Sequence, residues 1–121
     1  MSTQRTRKVE SLIVREVSEI LIRDVKDPRV EGVTITGAKV SADLSHAVIF
    51  FQAHAVGGDL EAVSAGLESV RGMVRRLVGK RIRLKFLPEI RFQYDPSLEY
   101  AERIEKLLKE VSSTSGEEET V

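Results

Sequence analysis

The sequence contains no cysteine, which excludes a disulfide framework, a thiol nucleophile and a cysteine-rich zinc site. No apolar run approaches the roughly 20 residues that cross a bilayer. The opening string MSTQRTRKVES holds no apolar signal core. A cytoplasmic protein with no membrane partner is the expectation. Aromatics are scarce: Phe50, Phe51, Phe86, Phe92, Tyr94 and Tyr100 are all there are. Most stand at alternating or helical apolar positions, so core packing accounts for them better than a platform for stacking bases.

Net charge is also missing, with 19 basic and 19 acidic side chains in 121 residues. The average hides a segregation. Arg71, Arg75, Arg76, Lys80, Arg81, Arg83, Lys85 and Arg91 face Glu89 alone within one stretch, whereas from Asp95 onward acidic residues prevail. A partner meets a local field, not a total, so this asymmetry is the informative quantity. The length is that of one domain.

What is present reads as alternating helices and strands. Val9, Leu12, Ile13, Val17, Ile20 and Leu21 repeat at helical spacing, leaving Arg15, Glu16, Glu19 and Arg23 for water. Pro28 ends that helix near Asp24 to Asp27. Val33 to Val40 alternates, with a phase change at Gly37 that predicts a bulge. A tight connection at 41–45 leads to a strand from Ala47 to Ala55, apolar on both faces at Val48 to Phe51.

Asp59 caps a second helix with the stripe Leu60, Val63, Leu67, Val70, Val74, Leu77. Gly66 and Gly72 interrupt that helix, and a kink at one of them is expected to divide it in two, while Gly79 fits the left-handed position beyond its end. Leu84 to Phe86 and Glu89 to Tyr94 alternate as a strand, and Asp95-Pro96 starts a last helix with Ala101, Ile104, Leu107, Leu108 and Val111 on one face. The pattern predicts an α+β domain, helices packed on one face of a three-stranded sheet, over residues 1–111 with a disordered acidic tail at 112–121.

The strings Glu16-Val17-Ser18-Glu19-Ile20-Leu21, Val25-Lys26-Asp27-Pro28-Arg29 and Val40-Ser41-Ala42-Asp43-Leu44-Ser45 carry a family resemblance. So does the run from Leu77-Val78-Gly79-Lys80-Arg81-Ile82-Arg83-Leu84 through Leu87-Pro88-Glu89-Ile90-Arg91-Phe92 to Tyr94-Asp95. In this order they resemble the ribosome-binding factor A family of bacterial small-subunit assembly factors. The resemblance implies a type II KH-like fold with a mixed sheet and an extra C-terminal helix. It also implies binding to 16S rRNA on the free 30S subunit, near the 5′-terminal helix, in support of rRNA processing. The family's Ala-x-Gly interhelical kink aligns with Val70-Arg71-Gly72, where valine replaces alanine. No GxxG loop of the ordinary KH type occurs, which argues against sequence-specific clamping of a single strand.

Arginine pairs phosphate oxygens bidentately, and each phosphate contact releases counterions. The basic run is therefore the expected RNA-binding surface: Arg71, Arg75 and Arg76 turned out from the helix, then Lys80, Arg81, Arg83, Lys85 and Arg91. Arg5, Arg7 and Lys8 make a second contact. His46 and His54 lie too far apart along one strand to share a metal, and Asp27 and Asp43 read as turn and capping residues. No P-loop, dinucleotide fingerprint or nucleophile elbow is present. The expectation is a monomer with no catalytic residues, cofactor, metal or small-molecule substrate. A general KH-like RNA-binding module, or a protein-interaction domain, stands as the alternative.

Overall fold

The computed structural model describes residues 4–53, 59–84, 87–97 and 103–111. His54, Lys85, Phe86, Tyr100, Ala101 and the 112–121 tail lie outside the described residues. The order is α1 (Gln4–Arg23), a 3₁₀ turn (Pro28–Val30), β1 (Val33–Val40), β2 (His46–Ala53), α2 (Leu60–Arg81) and β3 (Glu89–Tyr94). Residues 103–111 are helical and form α3.

β1 and β2 pair antiparallel, and β2 and β3 pair parallel, in the order β1-β2-β3. A parallel pair cannot be closed by a tight turn and needs a crossover, which α2 supplies. α1 and α2 then share one face of the sheet. They bury Val9, Ile13, Val17, Ile20, Val63, Leu67, Val74 and Val78 against Ile35, Val40, Ala47, Ile49, Phe51 and Ile90. Each fully buried side chain of this size contributes roughly 1.5–3 kcal/mol. Phe51 meets Tyr94 edge to face, with ring centres 5.7 Å apart.

The expected bulge is present. Ile35 pairs with Phe51 and Gly37 with Phe50, so Thr36 is the extra residue that resets the phase and lets Ala38 and Val40 continue inward. The turn at 41–45 closes through a Ser41 N–H to His46 carbonyl bond of 2.9 Å, with Leu44 at φ 61°. The Asp43 carboxylate accepts from the Ser45 hydroxyl at 2.6 Å and the Ser41 hydroxyl at 2.8 Å. Those bonds, Ser45 first, hold its pKa down at about 2.

Four expectations need correction. α2 runs as one helix through Val70-Arg71-Gly72, so the chain does not divide there. A Cβ at Gly72 would meet nothing within 4 Å, and no close neighbour forces a break. Gly79 lies inside α2 and not beyond its end; a Cβ there would come within 3.1 Å of Leu87, so the missing side chain makes room for the returning chain. Leu60 is exposed, and Val78 takes the inward place expected of the more peripheral Leu77. Leu84 stands outside β3, which starts at Glu89 after Pro88.

Gly66 has a packing role of its own. A Cβ at that position would stand 2.9 Å from the Arg29 Cβ and 3.0 Å from Val30, so glycine lets the 3₁₀ turn lie directly on α2. Asp27 caps that turn by accepting from the Arg29 N–H at 2.9 Å and from its guanidinium at 2.6 Å.

Candidate nucleic-acid interface

An α-helix advances about 100° per residue, and that geometry sorts the basic run into separate flanks of α2. Arg71 and Arg75, one turn apart, face the segment leading into β3. Arg75 donates from Nε to the Pro88 carbonyl at 3.0 Å and from Nη2 to the Leu87 carbonyl at 2.9 Å. Arg71 donates to the Ile90 carbonyl at 3.3 Å and pairs with Glu68 at 2.8 Å. Periodicity alone turns both toward solvent. They instead hold the chain entering β3 against α2 through the Leu87, Pro88 and Ile90 carbonyls.

Arg81 occupies a third flank, facing α1. Its guanidinium lies 3.2 Å from Glu16, 3.1 Å from Glu19 and 3.2 Å from Asp24. The Glu16 hydrogen bond leads the causes that raise the Arg81 pKa above its ordinary value, with the charges of Asp24, Glu16 and Glu19 adding to it. Glu16, expected in water, has only 13% of its side chain accessible. Charge pairing with a residue far along the chain brings it in.

Between these two flanks, Arg76 and Lys80 stand one turn apart and exposed, and Arg83 follows just beyond the helix. None of the three makes a hydrogen bond or ion pair with another described residue. Beside them an open groove of about 490 Å³ runs between α2 and the returning chain, walled by Gly72, Arg75, Arg76 and Gly79 and floored by Leu84 and Leu87. Apolar floor and cationic rim suit a phosphate backbone better than a small apolar ligand.

The remaining expected residues are placed elsewhere. Arg5, Arg7 and Lys8 are exposed on the first turns of α1. They stand about 12–17 Å along the axis from Glu16, and so form a separate positive cluster. Arg91 is exposed on β3 with its side chain on the sheet face opposite the helices. That face also carries Lys39 and Phe50, which lie outside the basic run and are not among the residues expected to bind RNA. Strand alternation is the signal that finds them, once only one face of the sheet is known to be covered.

Nothing in the described residues assembles a metal site: no group of three or more His, Asp or Glu side chains is arranged to hold an ion. His46 is exposed at the start of β2, with Nδ1 2.8 Å from the Ser45 hydroxyl. Asp27 and Asp43 serve as turn carboxylates. The Asp27 pKa is held down at about 2, chiefly by the Arg29 side-chain hydrogen bond. No described helix is long and apolar enough to cross a membrane.

Fold and surface together define a type II KH-like α+β domain with solvent-facing basic clusters and a bare sheet face. The chain belongs to the Ribosome-binding factor A family, whose model matches residues 5–108. It is 50% identical over 108 residues to ribosome-binding factor A of Lacticaseibacillus casei, covering 88% of this chain and 92% of that one. The crystal structure of ribosome-binding factor A from Thermus thermophilus superposes with a TM-score of 0.66 at 21% identity, over 74% of this chain and 94% of that one. A Thermus thermophilus homology model fitted into the cryo-EM map of a 30S–RbfA complex superposes with a TM-score of 0.61 at 20% identity, over 72% and 91%.

Proposed function

We propose that this protein binds the free 30S subunit through 16S rRNA, near the 5′-terminal helix, and assists late assembly and rRNA processing. It acts as a cytoplasmic monomer and performs no chemical step. The observation that carries the reading is the trio Arg76, Lys80 and Arg83, solvent-facing and without partners among the described residues, in a chain of this family. Family membership supports the ribosomal partner, and the fitted 30S complex of the Thermus relative supports the small subunit. Phosphate contact gives a use to exposed cations gathered on one side of α2.

Reversing Arg76, Lys80 and Arg83 to glutamate should lower affinity for purified small subunits at least 100-fold. The dependence of log K on log salt should flatten by about 0.7–0.9 for each phosphate no longer neutralised. The thermal midpoint should stay nearly constant. Sedimentation with subunits across a salt series measures the binding terms and thermal unfolding the midpoint; unchanged binding by the triple variant would remove the surface from the mechanism. A protein contact through α3 is the second reading, favoured by the exposed Ile104, Leu107, Leu108 and Val111. Salt-insensitive capture of a ribosomal protein in the absence of RNA would support it.

A further inference from the structure

The sheet has one covered face and one bare face, and the bare one has a composition that hydration alone does not call for. Its residues are those of opposite parity to the core: Thr34 and Lys39 from β1, His46, Val48, Phe50 and Gln52 from β2, Glu89, Arg91 and Gln93 from β3; the Glu89 carboxylate lies 3.4 Å from the Arg75 guanidinium. Val48 and Phe50 belong neither to the buried core nor to the apolar residues packed against it.

Register arranges them in rows. Lys39, Val48 and Arg91 are aligned across the three strands, and the next row is Gly37, Phe50 and Gln93. Adjacent strands stand about 4.8 Å apart, so Phe50 sits centrally with a cation on either side one row away. Gly37 contributes no side chain, and a Cβ there would find nothing within 4 Å, leaving the space beside the ring open. At the other end, the Thr36 hydroxyl donates to Asp95 at 2.8 Å and crosses above β2, closing off the platform. Arg91 makes no hydrogen bond or ion pair with another described residue.

We propose that this bare face is a second RNA contact, on which one unpaired nucleotide stacks its base on Phe50 while Arg91 takes a flanking phosphate. An aromatic ring beside cations on an open sheet is the arrangement that single-stranded RNA uses: every base has a π-face, and the cations follow the backbone. Gln93 supplies a donor and an acceptor for a base edge, whereas the Gln52 amide already donates to the Ser97 hydroxyl at 3.2 Å. The proposal rests on the reading of the protein as an RNA-docking factor and adds a mode of contact, stacking, to phosphate pairing.

The chain has no tryptophan, so Phe50→Trp creates a single fluorescent reporter at the proposed platform. Titrating the full chain carrying Phe50→Trp with an unstructured RNA octanucleotide should quench that emission. Phe50→Leu, which keeps apolar bulk and the fold, should weaken binding of the octanucleotide roughly 5- to 150-fold, the usual effect of losing one stacked base. Its salt dependence should remain that of the parent. Arg91→Gln should flatten the salt dependence by about 0.7, one single-strand phosphate contact, with no loss of thermal stability. Emission from Trp at position 50 that ignores saturating RNA, or a Phe50→Leu protein that binds the octanucleotide as the parent does, overturns the proposal. If the Arg76, Lys80 and Arg83 reversal abolishes subunit binding while Phe50→Leu leaves octanucleotide binding intact, the docking role stands and the platform falls. Quenching that survives together with unchanged subunit binding by the triple variant would support the platform and remove the α2 surface.

Discussion

Lys80 and Arg81 are neighbours in the chain, and the two sides of α2 they occupy differ in kind. On the Arg81 side a single guanidinium meets three carboxylates from α1 and the residues just after it, and joins two helices. On the Lys80 side the cations of Arg76 and Lys80 meet only solvent among the described residues. A run of positive charge is therefore not one surface. A step of about 100° per residue distributes it, so that some cations serve the fold and others remain for a partner. The first kind is engaged in the fold and the second is open to a partner, so mutation can test the two roles separately.

The largest effect should come from exchanging the roles. Arg81→Glu places a fourth carboxylate beside Glu16, Glu19 and Asp24 and should lower the thermal midpoint more than any other single charge reversal on α2. The loss should be partly relieved by salt. Lys80→Glu should leave stability within about 0.5 kcal/mol while weakening subunit binding. Thermal unfolding at low and high salt, alongside subunit sedimentation, tests the pair; equal loss of stability in both variants would erase the distinction. A smaller effect is expected at the flank that faces the segment leading into β3. Arg75→Met removes two hydrogen bonds to the Leu87 and Pro88 carbonyls and should cost about 1–3 kcal/mol, toward the lower end because the side chain is partly exposed. Urea unfolding measures it, and a stability equal to the parent's would mean those carbonyls are satisfied without Arg75.

The same division explains what is legible in the sequence. Strand alternation, the phase change near Gly37 and the apolar stripe of α1 are local patterns, and the element order follows from them. Gly79 is ambiguous because a helix-ending glycine and a glycine that admits a neighbouring side chain look alike in sequence; Leu87, eight residues on, decides which it is. Glu16 and Arg81 sit at the edges of their helical stripes, where periodicity does not tell solvent from partner, and only the packing of α1 on α2 brings them together. Phe50 has readable parity, opposite to Phe51. Its partial exposure depends on how many faces of the sheet the helices cover, which is a fact of topology. The basic candidates are all visible as residue types, whereas their sorting into structural and solvent-facing sets needs three dimensions.

The smallest expected effect concerns an engaged arginine outside α2, Arg29, and can be read from pH. Asp27 accepts from the Arg29 N–H and guanidinium, and its folded pKa is lowered from 3.8 to about 2. A depressed folded pKa means that the unfolded chain binds the proton more readily. The stabilisation is thus fully present above the unfolded value, and it declines as pH falls from about 4 toward 2. Asp27→Asn should lower stability at neutral pH and flatten the decline within that window, since the amide has no proton to take up there. Asp43, held at about 2 chiefly by the Ser45 and Ser41 hydroxyls with no arginine involved, provides the internal contrast. Added salt should reduce the Asp27 contribution through screening of Arg29 and leave the Asp43 contribution less affected. Urea midpoints from pH 5 to 2 at two salt concentrations, for the parent, Asp27→Asn and Asp43→Asn, separate the two. If Asp27→Asn follows the parent curve in parallel throughout, the Arg29 pair does not contribute to stability, and Arg29 moves to the set of cations available to a partner.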